Sequence, residues 1–204
     1  MGYLWTILLG YFLGCSNMAV YIAKLKKVDL RSSGSGNPGT SNVVILMGWK
    51  IGILVGLHDI GKAYLAVALA KLLFPELAAV AEVAGIACVL GHIFPFYLKF
   101  KGGKGFASYI GMTLALNWKF ALIVMVVVAL ITLVTDYLVL GTFTTILAVP
   151  VYMGIATKSL LAALILCVGT AVIFYKHREN MVRLYKGTEI GLRSTARGDH
   201  RVKQ

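Results

Sequence analysis

From Gly2 to Tyr175 the chain is a series of apolar stretches separated by short polar connections: Gly2 to Ala23, Val43 to Phe74, Leu77 to Leu98, Phe106 to Leu116, Phe120 to Val139, Thr142 to Thr157 and Ser159 to Tyr175. A helix of roughly twenty apolar residues matches the hydrocarbon core of a bilayer, about 30 Å thick. With 59% hydrophobic residues, 14% charged residues and a mean hydropathy of +0.83, the chain carries more apolar surface than a soluble fold of 204 residues can cover. The pattern predicts an all-α polytopic membrane protein with seven transmembrane helices. The second stretch is over-long and interrupted by Gly56, His58, Asp59, Gly61 and Lys62, so it reads as one broken helix, and the fourth is short for a crossing. Gly2 to Ala23 has no basic start and no clear small-residue cleavage site, and reads as a spanning helix rather than a removed signal peptide.

The placement of basic residues orients this series. Lys24, Lys26, Lys27 and Arg31, then Lys99, Lys101 and Lys104, then eight from Lys176 to Lys203 fall on one side, whereas the other side holds Lys71, Lys119 and Lys158. Cytoplasmic loops carry the Lys and Arg excess, which predicts an N-terminus outside, a C-terminus in the cytoplasm and a multi-pass protein of the inner (cytoplasmic) membrane. A second stretch that crossed twice would switch the side of every later loop and abolish the bias.

The unusual residues collect on the predicted cytoplasmic face. The first connection reads GSGNPGTSN, from Gly34 to Asn42. Its glycines at 34, 36 and 39 permit positive φ, so successive N–H groups can converge on an anion, helped by the hydroxyls of Ser35, Thr40 and Ser41. The second, around Gly102, Gly103, Lys104 and Gly105, opens a short helix whose free N–H groups favour phosphate, with Lys104 adding a full charge. In the tail, His177, Asn180 and Arg183 recur at a spacing that puts them on one helical face. Two anion cradles on one face point to a phosphate-bearing substrate and to chemistry done from the cytoplasm.

Other chemistries find little support. Gly102 to Gly105 lacks the spacing of a P-loop, and no Ser-His-Asp constellation, H-E-x-x-H pair or metal-ligand cluster is apparent, so no metal, cofactor or nucleic-acid partner is expected. Cys15, Cys88 and Cys167 are odd in number, far apart and inside apolar runs, which suits packed or lipid-facing thiols rather than disulfides. Asp59 and Lys62, one helical turn apart, form either a mutually neutralising intramembrane pair or a functional one, and His58 and His92 suit hydrogen bonding within the bundle.

Taken together and in order, the motifs resemble the bacterial membrane-integral glycerol-3-phosphate acyltransferases that use acyl phosphate as donor. GSGNPGTSN is similar to the family's G-S-G-N-x-G-A-T-N, GHIFPFYLKFKGGKGFAS to G-H-x-F-P-x-F-x-x-F-K-G-G-K-G-V-A-T, and HRENMVRLYKGTE to H-x-x-N-x-x-R-L-x-x-G-x-E. Thr40 and Ser41 stand where the family has Ala-Thr, Phe106 where it has Val and Ser108 where it has Thr; Thr142 keeps a hydroxyl where many members have Ser. The resemblance covers essentially the whole chain to Leu192, which reads as a single domain of residues 1–192 followed by a cytoplasmic tail of residues 193–204.

The resemblance implies transfer of a fatty acyl chain from acyl phosphate to the sn-1 hydroxyl of glycerol 3-phosphate, within the membrane lipid, giving lysophosphatidic acid and phosphate. It implies that Ser35, Gly36, Asn37, Gly39 and Asn42, with Gly102 and Gly103, bind phosphate, and that Lys104, Thr142, His177, Asn180 and Arg183 surround the reacting groups. Glu189 either orients the glycerol or fixes an arginine. Acyl phosphate is already activated, so orientation and charge stabilisation suffice without a covalent intermediate. The His-x-x-x-x-Asp pattern of acyltransferases with soluble donors is missing: Val182 follows His177 at that spacing and Tyr97 follows His92. Direct attack by the glycerol hydroxyl is therefore expected, with the donor phosphate or His177 taking the proton. A small transporter of anionic metabolites is the competing reading, since transporters also use broken helices and helix N-termini facing anions, but no inverted repeat is apparent and the polar residues crowd one face. A lipid-binding scaffold would leave the Gly and Asn loop without a purpose.

Overall fold

A computed structural model describes residues 1–196, and every described element is helical. The helices are α1 (Gly2–Cys15), α2 (Met18–Lys26), α3 (Thr40–Met47), α4 (Trp49–Leu73), α5 (Val80–Ile93), α6 (Phe106–Leu116), α7 (Trp118–Thr135), α8 (Leu138–Thr157), α9 (Leu160–Lys176), α10 (Arg178–Tyr185) and α11 (Leu192–Ala196). Five segments are long and apolar enough to cross a membrane: Gly2–Lys26, Trp49–Leu73, Val80–Leu98, Trp118–Thr135 and Leu138–Thr157. The pair α9 and α10, bent by 49°, supplies a sixth if taken as one span. Helix α6 has 11 residues and, at about 1.5 Å per residue, reaches only about half the hydrocarbon thickness. The protein is thus an all-helical integral membrane bundle. Leu122, Ile123, Val126, Leu130 and Val134 stand exposed along α7, a surface that suits lipid tails and not water.

Element boundaries follow local chemistry. Asn17 caps α2 by accepting from the Val20 N–H at 3.1 Å, Asn117 caps α7 through Phe120 at 3.0 Å, and Ser159 caps α9 through Ala162 at 3.2 Å. Small residues bring helices together: a Cβ on Gly14 of α1 would lie 2.0 Å from the Cys88 carbonyl of α5, and one on Gly91 would lie 2.1 Å from the Tyr11 carbonyl. Cys15 and Cys88 are buried and Cys167 is exposed, all as free thiols. Ile93, Tyr109, Met112, Ile146, Leu166 and Ile173 form the largest core, between α5, α6, α8 and α9.

Two expectations need correction. The second apolar stretch breaks at Gly48, in the left-handed region at φ 84°, while α4 runs without interruption through Gly56 to Lys62. Buried partners for Asp59 and Lys62 let the helix carry those charges where the sequence pattern suggested a break. The connection expected between the stretches ending at Val139 and starting at Thr142 lies instead at Asp136 and Tyr137, so Thr142 sits within α8. Beyond these two, the first residues of the expected tail, 193–196, lie in α11, which packs on α3 and α7, with the Ser194 N–H donating to Asp136; residues 197–204 lie outside the described residues.

Candidate active site

The segments expected to cradle anions meet around one cavity of about 330 Å³. Its wall is built by Ser35, Asn37, Gly39, Thr40 and Ser41 from the first loop and α3, by Lys104 to Ala107 from the start of α6, by Thr142 of α8, and by His177, Asn180, Arg183 and Glu189 from the α9–α10 corner. Ile60, Ile110, Met125, Val128, Leu138 and Val139 complete it with an apolar lining from α4, α6, α7 and α8. A lining that combines charged, polar and apolar side chains suits an amphiphile.

The first loop takes its shape from Asn42. Its carboxamide oxygen accepts from the Ser35 N–H at 2.7 Å, and its Nδ2 donates to the Leu30 and Ser33 carbonyls at 2.9 and 3.1 Å. Gly34 and Gly36 adopt φ of 61° and 71°, as a nest of N–H groups requires, and a side chain on Gly34 would strike Asn42. Gly39 is extended rather than left-handed and caps α3, so the first N–H groups of that helix open on the cavity beside it. The Thr40 hydroxyl is buried without a hydrogen-bond partner among the described residues. Arg31 ties this loop to the next by donating to the Lys101 carbonyl.

The second segment delivers Lys104 and the N-terminus of α6. Gly105 caps that helix at φ 88°. Gly102 and Gly103 are not part of the cavity wall: their N–H groups donate to the Ile93 and His92 carbonyls at 2.9 and 3.2 Å. Both are packing glycines, since a Cβ on Gly103 would lie 2.2 Å from His92 Nε2. Asn42 is likewise behind the wall, holding it in place, and Gly36 bends the loop without lining the cavity.

Facing them is a linked set of polar side chains. Lys104 donates to Asn180 Oδ1, Asn180 Nδ2 donates to Glu189 at 2.5 Å, and Arg183 Nε donates to the other Glu189 oxygen at 2.7 Å. Glu189 thus fixes an arginine, one of the two roles open from sequence. Burial pulls the Lys104 ammonium down to about 8, with the nearby Arg183 pushing the same way and Glu189 opposing. His177 Nδ1 lies 2.8 Å from the Ile173 carbonyl, which can only accept, so that nitrogen carries the proton and Nε2 keeps a lone pair. Thr142 bonds weakly to the Leu138 carbonyl of its own helix at 3.3 Å. Asp59 and His92 also reach the cavity wall, and the apolar lining was not foreseen, because a helix face lining a site has the same periodicity as one packed in a core.

Fold and site together define a membrane-integral helical protein with one cavity lined by glycine-rich loops, helix starts and a cluster of charged side chains. Residues 4–187 match the family model for glycerol-3-phosphate acyltransferase, and the chain belongs to that family. Glycerol-3-phosphate acyltransferase 1 of Oceanobacillus iheyensis is 36% identical over 204 residues, covering 95% of this chain and 97% of that protein. The Coxiella burnetii glycerol-3-phosphate acyltransferase is 37% identical, covering 93% and 97%. Among solved structures, PlsY (YgiH), an integral membrane glycerol 3-phosphate acyltransferase, superposes with a TM-score of 0.88 in its glycerol 3-phosphate form at 35% identity, over 94% of this chain and 96% of that one. Its lysophosphatidic acid form gives 0.85 at 34% identity, over 94% and 95%.

Proposed function

We propose that this protein transfers a fatty acyl group from acyl phosphate to the sn-1 hydroxyl of glycerol 3-phosphate, the first step of phospholipid biosynthesis. One observation carries the proposal: a single cavity gathers two helix N-termini, a phosphate-type loop, two cationic side chains and a histidine with a free lone pair, and continues into an apolar wall. The lining supports phosphate held by Ser35, Asn37, Gly39 and the α3 N-terminus, with Gly36, Asn42, Gly102 and Gly103 setting the loop shapes. Lys104, Thr142, Asn180 and Arg183 then surround the reacting groups, with Glu189 holding Arg183 and Asn180 in register.

The glycerol oxygen attacks the acyl carbonyl carbon, a new ester C–O bond forms, and the bond from that carbon to the phosphate oxygen breaks with its electron pair leaving on phosphate. The hydroxyl proton passes to His177 Nε2 or to the departing phosphate. Lys104 and Arg183 stabilise the charge that gathers on phosphate. The basic-residue bias supports seven membrane segments, counting α6 and the α9–α10 pair, with the N-terminus outside and the C-terminus and the active site cytoplasmic, and the family match over residues 4–187 supports residues 1–192 as one unit.

The test supplies purified protein with glycerol 3-phosphate and palmitoyl phosphate, palmitoyl-CoA or palmitoyl carrier protein, and follows lysophosphatidic acid. Product from the acyl phosphate alone is the expected result; product only from a thioester donor contradicts it.

A further inference from the structure

Where α4 and α5 meet the cavity wall lies a buried ionic cluster that the transfer step does not use. Lys62 Nζ of α4 lies 2.8 Å from Asp59 Oδ1, donates to the Ser16 carbonyl at 2.7 Å where α1 gives way to α2, and lies 2.8 Å from His92 Nδ1 of α5. Asp59, Lys62 and His92 are all buried. An ammonium has no lone pair to offer, so His92 Nδ1 is the acceptor and Nε2 carries the ring proton. The ring is thereby held in one orientation by a charge pair that neutralises itself inside the bundle.

What rests on that ring is the loop that delivers Lys104. The Gly103 N–H donates to the His92 carbonyl and the Gly102 N–H to the Ile93 carbonyl, and Gly103 packs so closely on the imidazole that a Cβ there would lie 2.2 Å from Nε2. Gly105 packs on Ile93 and Val89 of the same helix. Lys104 sits between these contacts, so its backbone origin is set by His92 and its neighbours on α5.

We propose that Asp59 and Lys62, acting through His92, are positioning residues for Lys104: they seat the loop of residues 101–106 against α5 so that the ammonium meets Asn180 and the substrate phosphate. The idea rests on the acyltransfer reading for its kinetic consequence but not for its structural one. Removing one charge alone leaves its partner uncompensated in an apolar interior and threatens folding. The informative variant is therefore the double replacement Asp59→Leu with Lys62→Met, which removes both charges while keeping the branching of the first side chain and nearly the length of the second.

Two readouts follow on protein in lipid nanodiscs: backbone hydrogen exchange over residues 101–106, which needs no activity, and kcat/KM for acyl transfer. The proposal predicts a double variant with a parent-like melting temperature, at least tenfold faster exchange in that loop and at least tenfold lower kcat/KM. Glu82→Gln is the control, because Glu82 is also buried on α5 but lies ten residues, or about 15 Å, from His92; it should leave both readouts within twofold. Unchanged loop exchange in the folded double variant overturns the proposal, and so does faster exchange with kcat/KM within twofold of the parent. An inactive parent counts against the acyltransfer reading, while the exchange result still decides whether the cluster seats the loop.

Discussion

The two polar walls of the cavity solve anion binding in different ways. The wall from the first loop, the start of α3 and α6 from its Gly105 cap onward is neutral, made of N–H groups and hydroxyls whose directions are set by Gly34, Gly36, Gly105 and the three hydrogen bonds of Asn42. The opposite wall is ionic, with Lys104, Asn180, Glu189 and Arg183 linked in sequence and His177 beside them. A neutral wall is insensitive to pH and vulnerable to steric change; an ionic wall is the reverse. The division suggests that the first mainly holds phosphate in place while the second answers charge that moves during reaction.

The largest expected effect is therefore at the ionic wall. Lys104→Ala should lower kcat/KM about 10³-fold, the upper range for losing one charge-stabilising group, with little change in melting temperature. A loss below tenfold would place the charge that matters elsewhere. His177→Ala should reduce the rate about hundredfold if Nε2 accepts the hydroxyl proton; a rate near the parent's leaves the donor phosphate as the acceptor.

At the neutral wall the deficit should appear in binding and stability. Asn42→Ala removes three hydrogen bonds worth about 1 kcal/mol each, so a lower melting temperature and a KM for glycerol 3-phosphate raised about tenfold are expected. A variant with lowered kcat and unchanged KM would contradict the holding role.

The smallest effect separates the walls by pH. With its ammonium drawn down to about 8, Lys104 is charged below that value and neutral above it, so kcat/KM should fall as pH rises through about 8. Stability should move the other way. Between about 8 and its ordinary value, Lys104 binds more protons in the unfolded chain than in the folded one, so its contribution to stability rises with pH over that window. Lys104→Arg, charged throughout, should flatten the alkaline fall in kcat/KM, and Asn42→Ala should leave its midpoint in place.

Much of this division was legible in the sequence. The wall residues Ser35, Asn37, Gly39, Lys104, Thr142, His177, Asn180, Arg183 and Glu189 could be named because polar and glycine residues stand out against apolar surroundings. What escaped depends on partners distant in sequence. Gly102 and Gly103 look like a phosphate loop until the His92 and Ile93 carbonyls are seen to occupy their N–H groups. Asn42 looks like a ligand until its side chain is seen to close the loop at Leu30, Ser33 and Ser35. The unbroken α4 depends on Lys62 reaching Ser16 and His92 on other helices, which no local pattern encodes.

The most direct test of direct transfer across one cavity is phosphate release from palmitoyl phosphate during the first turnover, with glycerol 3-phosphate withheld and then added. No release beyond the background without enzyme is expected until glycerol 3-phosphate arrives, then phosphate and lysophosphatidic acid in equal amounts. A burst of phosphate approaching one per protein before the acceptor is added would reveal an acylated enzyme and contradict the account.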